Sequence, residues 1–239
     1  MDWRVRLRGP LHEGESNPGS TDVRPGGVAH NVWHALKRLE RDAELVSLEA
    51  PETRIYMAVE NQDGSLAHGI ACLDAYDDLD DVFLYRHIDQ MSRADVLVAD
   101  GNCAHKLFDV LPTHPCMALI AVSPAKMDRM RPALAKANWL FCNRAELAQL
   151  RSDGWRPPAP LHIVETRGKD GLVLHAGDQR NSFAPPDLRQ ITVDETGLGD
   201  ALAACILAQF HHASTLPAEG IISMGLESFA EFLTRQNSS

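Results

Sequence analysis

Apolar residues recur along the chain in two alternating patterns, one typical of strands and one typical of helices. Short apolar runs predict strands at 44–48, 96–99, 118–122, 139–142, 162–165 and 172–175. Apolar positions three or four residues apart predict helices at 28–39, 104–111, 126–135, 144–150, 198–211 and 218–235. Strands that alternate with helices over short connections predict a mostly parallel sheet with helices on both faces.

Two extended runs in the first third of the chain interrupt this alternation. Residues 54–60 and 66–72 flank Asn61-Gln62-Asp63-Gly64, a sequence typical of a hairpin turn. Such a hairpin is expected to project from the main sheet as a small cover. The pattern therefore predicts an α/β protein whose strand–helix core carries an additional β element.

Composition narrows the possible functions. The chain has 239 residues, 44% of them hydrophobic, which is enough for one substantial core. Its formal net charge of -10 disfavours general binding to nucleic acids or to anionic membranes. A phosphate-binding site in such a chain has to obtain positive potential from backbone amides, a metal ion and a few basic side chains.

Cysteine spacing and the first residues exclude further classes. The five cysteines are widely separated and form no Cys-x-x-Cys pair, so neither a disulfide framework nor a zinc site is predicted. Met1-Asp2-Trp3-Arg4 lacks the apolar core of a signal peptide, and no run reaches membrane-spanning length. The sequence predicts a cytosolic protein.

The strongest chemical signal is the glycine-rich stretch 191–200, which precedes an apolar helix. Gly197 and Gly199 allow a tight turn that exposes backbone amides, and the helix that follows adds unpaired N–H groups and its positive dipole end. Together these groups would stabilise the charge on a transferred phosphoryl group. Asp200, in the first helical turn, could accept the proton of an attacking hydroxyl. Alternatively, the stretch is an ordinary connection in which Thr196 caps the helix.

Two further motifs carry polar groups beside predicted helix starts. Asn143 and Glu146 have the spacing of a capping box, and this helix-capping interpretation is favoured from the residues alone. Gly26 and Gly27 allow a ligand to approach the backbone, and Asn31, one turn later, offers a donor and an acceptor for sugar hydroxyls. Gly26 and Gly27 could equally end a loop, with Asn31 forming local hydrogen bonds.

Taken together, these motifs resemble those of the ribokinase-like (PfkB) carbohydrate and nucleoside kinases. Residues 194–200 are similar to the Asp-Thr-x-Gly-Ala-Gly-Asp signature, with Leu198 in place of the usual Ala. Within that family the stretches 9–19, 25–32, 122–126 and 164–171 most resemble bacterial pseudouridine kinases. The resemblance covers nearly the whole chain. It implies a three-layer ribokinase-like sandwich in a single domain, 1–239, with a lid built from about 3–25 and 54–72.

The resemblance also assigns roles to individual residues. It implies catalysis by Asp200, with the amides of Gly197, Leu198 and Gly199 around the phosphoryl group. It places the ribosyl substrate on Asp2, Asn17, Gly26, Gly27 and Asn31. It places ATP near Thr166, Gly168, Thr196, Gly197 and Gly199. It implies that Asn143 and Glu146 organise Mg²⁺, largely through water, and that two copies can pair through their lids as a homodimer.

The chain departs from the family in several places. It is shorter before Asp2, after Leu48 and at 228–239, and Ile120-Ala121-Val122-Ser123 stands where Asp-Pro-Val-Ser is expected. The leading hypothesis is ATP-dependent phosphorylation of a nucleoside or sugar hydroxyl, first of all the 5′-hydroxyl of pseudouridine. The shortened segments favour an alternative, a degenerate relative that binds a ribosyl or nucleotide ligand without efficient transfer. A third possibility is a kinase for another sugar, such as ribose or fructose.

Overall fold

The strands of the protein form two separate sheets. The computed structural model describes residues 2–47, 55–63, 66–72, 81–186, 197–212 and 215–236. The strands in these residues are β1 (Asp2–Leu7), β2 (Gly19–Arg24), β3 (Ile55–Glu60), β4 (Leu66–Cys72), β5 (Leu97–Asp100), β6 (Met117–Ile120), β7 (Trp139–Asn143), β8 (His162–Thr166), β9 (Leu172–Ala176) and β10 (Gln179–Phe183). The α-helices are α1 (Val28–Arg38), α2 (Asp81–Arg93), α3 (His105–Val110), α4 (Arg131–Leu134), α5 (Arg144–Arg151), α6 (Leu198–Leu207) and α7 (Ala218–Gln236).

The larger sheet has six strands in the order β10-β9-β8-β7-β6-β5. Strands β5 to β8 are parallel to one another, whereas β9 and β10 are antiparallel to their neighbours. Because side chains alternate along a strand, Leu140 and Cys142 face one core while Trp139 and Phe141 face the other. The first core contains α3, α4 and α5, and the second contains α1, α6 and α7. Each fully buried aliphatic side chain contributes about 1.5–3 kcal/mol to this three-layer arrangement.

The smaller sheet has four strands in the order β2-β1-β3-β4, in which β1 is parallel to β3 and antiparallel to β2. Its two faces differ in character. One face carries the polar side chains Asp2, Arg4, Arg6, Tyr56 and Glu60, as the register of β1 and β3 requires. The other face carries apolar side chains, among which Trp3, Val23 and Ile70 keep 39%, 44% and 54% of their surface exposed.

The sequence pattern predicts most of these elements correctly. The mostly parallel α/β sheet is confirmed, as are the strands at 96–99, 118–122, 139–142, 162–165 and 172–175 within one or two residues. The helices at 28–39, 104–111, 144–150 and 218–235 are confirmed in the same way. The hairpin is confirmed as β3 and β4, although residues 54, 64 and 65 lie outside the described part of the chain. Among the described residues, no helix is long and apolar enough to cross a membrane.

Several predictions of local structure are wrong. Residues 44–47 form no strand, and residue 48 of that predicted run lies outside the described residues. The helix predicted at 126–135 is divided into two 3₁₀ turns and the short α4, which has Pro132 at its start, where a missing N–H is tolerated. The helix predicted at 198–211 ends at Leu207 and is followed by a 3₁₀ turn, Phe210–His212.

Among the strands and α-helices of the described residues, β1, β2, β10 and α2 were not predicted. Strands β2 and β10 are largely polar and mostly exposed, so they show no apolar alternation. Both are edge strands whose pairing depends on a single neighbour, β1 and β9 respectively. A strand that is formed mainly by backbone pairing at a sheet edge leaves little signal in its side chains.

Candidate active site

The start of α6 forms the floor of the candidate active site. Gly197 precedes the helix with φ +84°, in the left-handed region that favours glycine. A Cβ atom built on Gly199 would meet no described atom within 4 Å, so the backbone of this turn can be approached closely. The first N–H groups of the helix have no intrahelical partners, and Asp200 lies among them in the first turn. This arrangement suits an anionic group.

Asp200 is a half-buried carboxylate held by a neutral partner. The side-chain amide of Asn31 in α1 donates to Asp200 Oδ2 over 2.7 Å. Burial, together with the nearby carboxylates of Asp100, Asp2 and Glu146, raises the pKa of Asp200 to about 6 despite the lowering effect of this hydrogen bond. A carboxylate with that pKa is mostly ionised at neutral pH and still basic enough to accept a proton.

Asp2 and the glycine pair lie together at the start of α1. The backbone of Gly26 lies so close to the side chain of Asp2 that a Cβ on Gly26 would overlap that carboxylate. Gly27 has φ +104° and precedes the first residue of α1. The structure therefore brings the predicted substrate residues Asp2, Gly26, Gly27 and Asn31 next to the predicted catalytic Asp200.

Asn143 and Glu146 form the capping box that their spacing predicts. The Asn143 side chain accepts from the Glu146 N–H over 2.9 Å, and Glu146 Oε2 accepts from the Asn143 N–H over 2.7 Å. Glu146 is buried, and burial raises its pKa. The carboxylate is near enough to raise the pKa of Asp200, so α5 begins on the same side of the sheet edge as the α6 turn.

Thr166 ends β8, directly beside Asn143 at the end of β7. Its hydroxyl donates to the Cys142 carbonyl over 3.4 Å. The turn that follows includes Gly168, with φ +58°, and closes through the Arg167 N–H to the Gly171 carbonyl over 2.8 Å. Two residues assigned to ATP by the resemblance therefore stand next to the pair assigned to the metal.

Two predicted site residues are not joined to this group by the described contacts. The side chain of Asn17 bonds within its own loop, accepting from the His12 N–H and donating to the carbonyls of His12 and Glu15. Thr196 lies outside the described residues.

Two sets of polar residues at this edge of the sheet were missed by sequence reasoning. Asp100 ends β5 and accepts hydrogen bonds from the N–H groups of Ala29 and Asn102. Glu165 near the end of β8 accepts from two of the guanidinium nitrogens of Arg167, Nε and Nη2, and from the buried His175 ring. One signal could have found them, since polar residues at the carboxyl ends of parallel strands often face a ligand cleft.

Comparison with known proteins identifies a similar curated protein and similar solved structures. No protein-family model matches the chain. The chain is 23% identical, over an alignment 264 positions long with its gaps, to a pseudouridine kinase of Escherichia coli, and the alignment covers 90% of this chain and 84% of that protein. This likeness confirms the resemblance to pseudouridine kinases that the stretches 9–19, 25–32, 122–126 and 164–171 indicate.

Solved structures show the fold. A carbohydrate kinase from Agrobacterium tumefaciens is 24% identical, with a TM-score of 0.70 over 96% of this chain and 86% of that one. A ribokinase from Thermotoga maritima is 14% identical, with a TM-score of 0.71 over 97% and 88% of the two chains. The chain therefore has the ribokinase fold that the motif resemblance implied.

Proposed function

We propose that this protein is an ATP-dependent kinase that phosphorylates a hydroxyl of a nucleoside or sugar, with the 5′-hydroxyl of pseudouridine as the first candidate. The observation that carries the proposal is the half-buried Asp200, held by Asn31 over 2.7 Å at the amide-lined start of α6. Likeness to an E. coli pseudouridine kinase over 90% of the chain supports both the reaction class and the first acceptor to test.

The chemistry divides between a base and an amide-lined turn. Asp200 takes the proton from the attacking hydroxyl as that oxygen forms its bond to the γ-phosphorus, and the bond from that phosphorus to the β–γ bridging oxygen of ATP breaks. The N–H groups of Gly197, Leu198 and Gly199 stabilise the charge on the transferred phosphoryl oxygens. ADP leaves with the bridging oxygen, and the proton on Asp200 passes to solvent.

The acceptor is held between α1 and the polar face of the smaller sheet. Asp2 and Asn31 supply carboxylate and amide groups for ribosyl hydroxyls, and the glycine pair 26–27 allows the sugar to reach the backbone. Tyr56 and Arg4 occupy the same polar face as Asp2. Burial and the charge of Asp2 raise the pKa of Tyr56, and the charge of Arg4 lowers it, so the three side chains lie near one another. A face with this polarity fits a hydroxyl-rich acceptor better than an apolar one.

Magnesium fits the donor set beside the α6 turn. The capping box uses one carboxylate oxygen of Glu146, Oε2, so the other oxygen can accept from a metal-bound water. The side-chain carbonyl of Asn143 lies beside it in the same capping box. Bound there with ATP, the ion would neutralise charge on the β- and γ-phosphates. Thr166 and Gly168 stand beside this pair, on the side where the rest of the nucleotide would lie.

We also propose that 1–239 acts as one kinase domain in which the four-stranded sheet is a lid over the acceptor, and that two copies pair through the lid. The polar face of this sheet meets the glycine pair at Asp2, so its apolar face points away from the site. Trp3, Val23 and Ile70 on that face are substantially exposed, which is typical of an interaction surface.

A panel of acceptors tests the proposal. Pseudouridine, uridine, inosine, ribose and fructose are each incubated with ATP and Mg²⁺, and ADP and the phosphorylated product are both measured. Product from a nucleoside or sugar, with pseudouridine best, supports the kinase. Binding of pseudouridine by calorimetry without any product would instead support the non-catalytic alternative, and neither binding nor product would contradict both.

A further inference from the structure

We propose that Asp100 is a positioning residue that sets the place of α1, and through it the geometry of Asn31 and Asp200. The inference rests on the proposed kinase function. Asp100 is the last residue of β5, and its carboxylate is 8% exposed. It belongs to the central sheet, yet its hydrogen-bond partner Ala29 belongs to α1, 71 residues away in the chain.

The start of α1 lacks a cap of its own. The residue at the N-cap position is Gly27, which has no side chain and makes no side-chain cap hydrogen bond. The N–H of Ala29, in the first turn, donates instead to Asp100 Oδ2 over 2.9 Å. A carboxylate at this end also interacts favourably with the helix dipole. Asp100 thus supplies from the sheet the cap that Gly27 cannot supply.

A second hydrogen bond fixes the orientation of the Asp100 carboxylate. Its other oxygen, Oδ1, accepts from the Asn102 N–H over 2.8 Å, and the Asn102 side chain in turn accepts from Lys126 Nζ over 2.5 Å. Burial raises the pKa of Asp100, while the hydrogen bonds from Asn102 and Ala29 oppose that rise by stabilising the ionised form. The cap is therefore a rigid one, oriented from the sheet side.

The chain of contacts continues from the cap to the proposed base. Asn31 follows Ala29 by two residues, and its N–H makes an early bond of the helix, to the Gly27 carbonyl over 2.9 Å. Its side chain then donates to Asp200 over 2.7 Å. A shift of the first turn of α1 would move Asn31, Gly27 and the contact with Asp2 together. The glycines before α1 allow a ligand to approach, but they have no side chains that could hold the first turn of the helix in place. The contact that holds this turn has to come from another part of the chain.

Two variants of Asp100 test the inference. Asp100→Ala removes both accepting oxygens of the cap, whereas Asp100→Asn keeps a side chain of the same shape with one accepting oxygen. His114→Ala is the matched control, because His114 is an equally buried polar residue at the opposite ends of β5 and β6, where it bonds the carbonyls of Ala94 and Cys116. Steady-state kinetics with the best acceptor give separate KM values for acceptor and ATP. Hydrogen exchange measured by NMR gives the protection of the Ala29 amide in each protein.

We expect Asp100→Ala to raise the acceptor KM about tenfold or more while the ATP KM stays within about twofold, since Thr166 and Gly168, proposed to lie near the nucleotide, make their described contacts at the ends of β7 and β8 and not with α1. Asp100→Asn should recover part of that loss. Protection of the Ala29 amide should fall in Asp100→Ala and stay at the wild-type level in His114→Ala.

Other outcomes overturn the inference. Unchanged acceptor KM in both Asp100 variants of an active enzyme would show that the cap does not position the site. An equal change in His114→Ala would show general destabilisation instead. If the wild-type protein phosphorylates no acceptor, the kinase proposal fails separately, and unchanged Ala29 protection in Asp100→Ala would then also refute the capping role.

Discussion

Two carboxylates at the same edge of the central sheet have opposite pKa shifts. Glu165 is 3% exposed and Asp200 is half-buried, so burial raises the pKa of both. The net shifts nevertheless differ in sign. Burial raises the pKa of Glu165, but hydrogen bonds from Arg167 and His175 outweigh it and lower the value, while the pKa of Asp200 is raised to about 6.

The partners explain the difference. Glu165 faces the guanidinium of Arg167, with nitrogen–oxygen distances of 2.8 and 3.0 Å. Burial lowers the pKa of His175, so its ring is neutral near pH 7 and donates an ordinary hydrogen bond over 2.7 Å. Asp200 accepts from a neutral donor, Asn31, and the described charged groups that shift its pKa most, Asp100, Asp2 and Glu146, are acidic. A carboxylate paired with a cation stays ionised and stabilises the fold. A carboxylate whose charged neighbours are also negative accepts a proton more readily.

The largest expected effect is on Asp200→Asn. The amide cannot accept the proton, so kcat should fall by a factor of about 10²–10⁴. The melting temperature should stay the same or rise, because the variant no longer holds an ionised group in a partly desolvated site with acidic neighbours. Rapid-quench or coupled assays of ADP release, together with thermal melts, measure both. A fall in kcat of less than threefold would contradict the role of Asp200.

Asn31→Leu should have the next largest effect. The variant removes a hydrogen bond to a charged group while keeping a side chain of similar size. A loss of about 1.5–3 kcal/mol in transition-state stabilisation corresponds to roughly a 10–150-fold lower kcat/KM for the acceptor. Asn181→Leu is a control, because Asn181 also donates to a carboxylate, Glu219, but at the edge strand β10. Equal losses in the two variants would remove any special role for Asn31.

Glu165→Gln should lower the stability and leave the rate nearly unchanged, the reverse of the result expected for Asp200→Asn. The substitution replaces a buried carboxylate with a neutral amide, which is a weaker acceptor for Arg167 and His175. The melting temperature should therefore fall by several degrees, on the order of 5 °C. The rate should change less than about threefold. Thermal melts and steady-state kinetics on the same preparations check both numbers. A large loss of rate without loss of stability would mean that Glu165, too, takes part in the chemistry.

The smallest expected effect is on the lid. Ile70→Asp places a charge on the apolar outer face, where the native side chain is 54% exposed, so folding should be little affected. If two copies pair there, light scattering should show a shift from dimer to monomer. Asp22→Asn, a change of charge on the opposite face of the same sheet, should leave the mass unchanged. A wild-type protein that is already monomeric at high concentration would contradict the pairing.

Sequence reasoning recovered the parts of the site that are local in the chain. The turn from Gly197 to Asp200 is contiguous, and the capping box of Asn143 and Glu146 depends only on a spacing of three. Asp100 was not found because its contact with Ala29 spans 71 residues and exists only after β5 and α1 have packed together. The pair of Glu165 and His175 depends on the register of β8 against β9, which the turn between them sets.

The fold shows the same limit. Apolar runs revealed the buried strands of the parallel sheet, whereas the polar edge strands β2 and β10 were invisible because backbone pairing, not side-chain burial, forms them. Residues 44–47 show the opposite error. Val46 lies in a loop and is partly buried against one of the cores, so an apolar residue at a predicted strand position contacts the core without belonging to a strand.

The central claim is that Asp200 is a base whose pKa its surroundings have raised. The most direct measurement compares the acid limb of the kcat/KM profile with the titration of the Asp200 carboxyl carbon, followed by NMR in the same protein. A base works when ionised, so activity should fall about tenfold per pH unit as the pH drops through about 6, and the Asp200 signal should titrate at the same value. Glu165 keeps its ion pair over that range, so the fold should persist. An Asp200 signal that titrates near 4, or a rate that does not change between pH 7 and pH 5, would contradict the account.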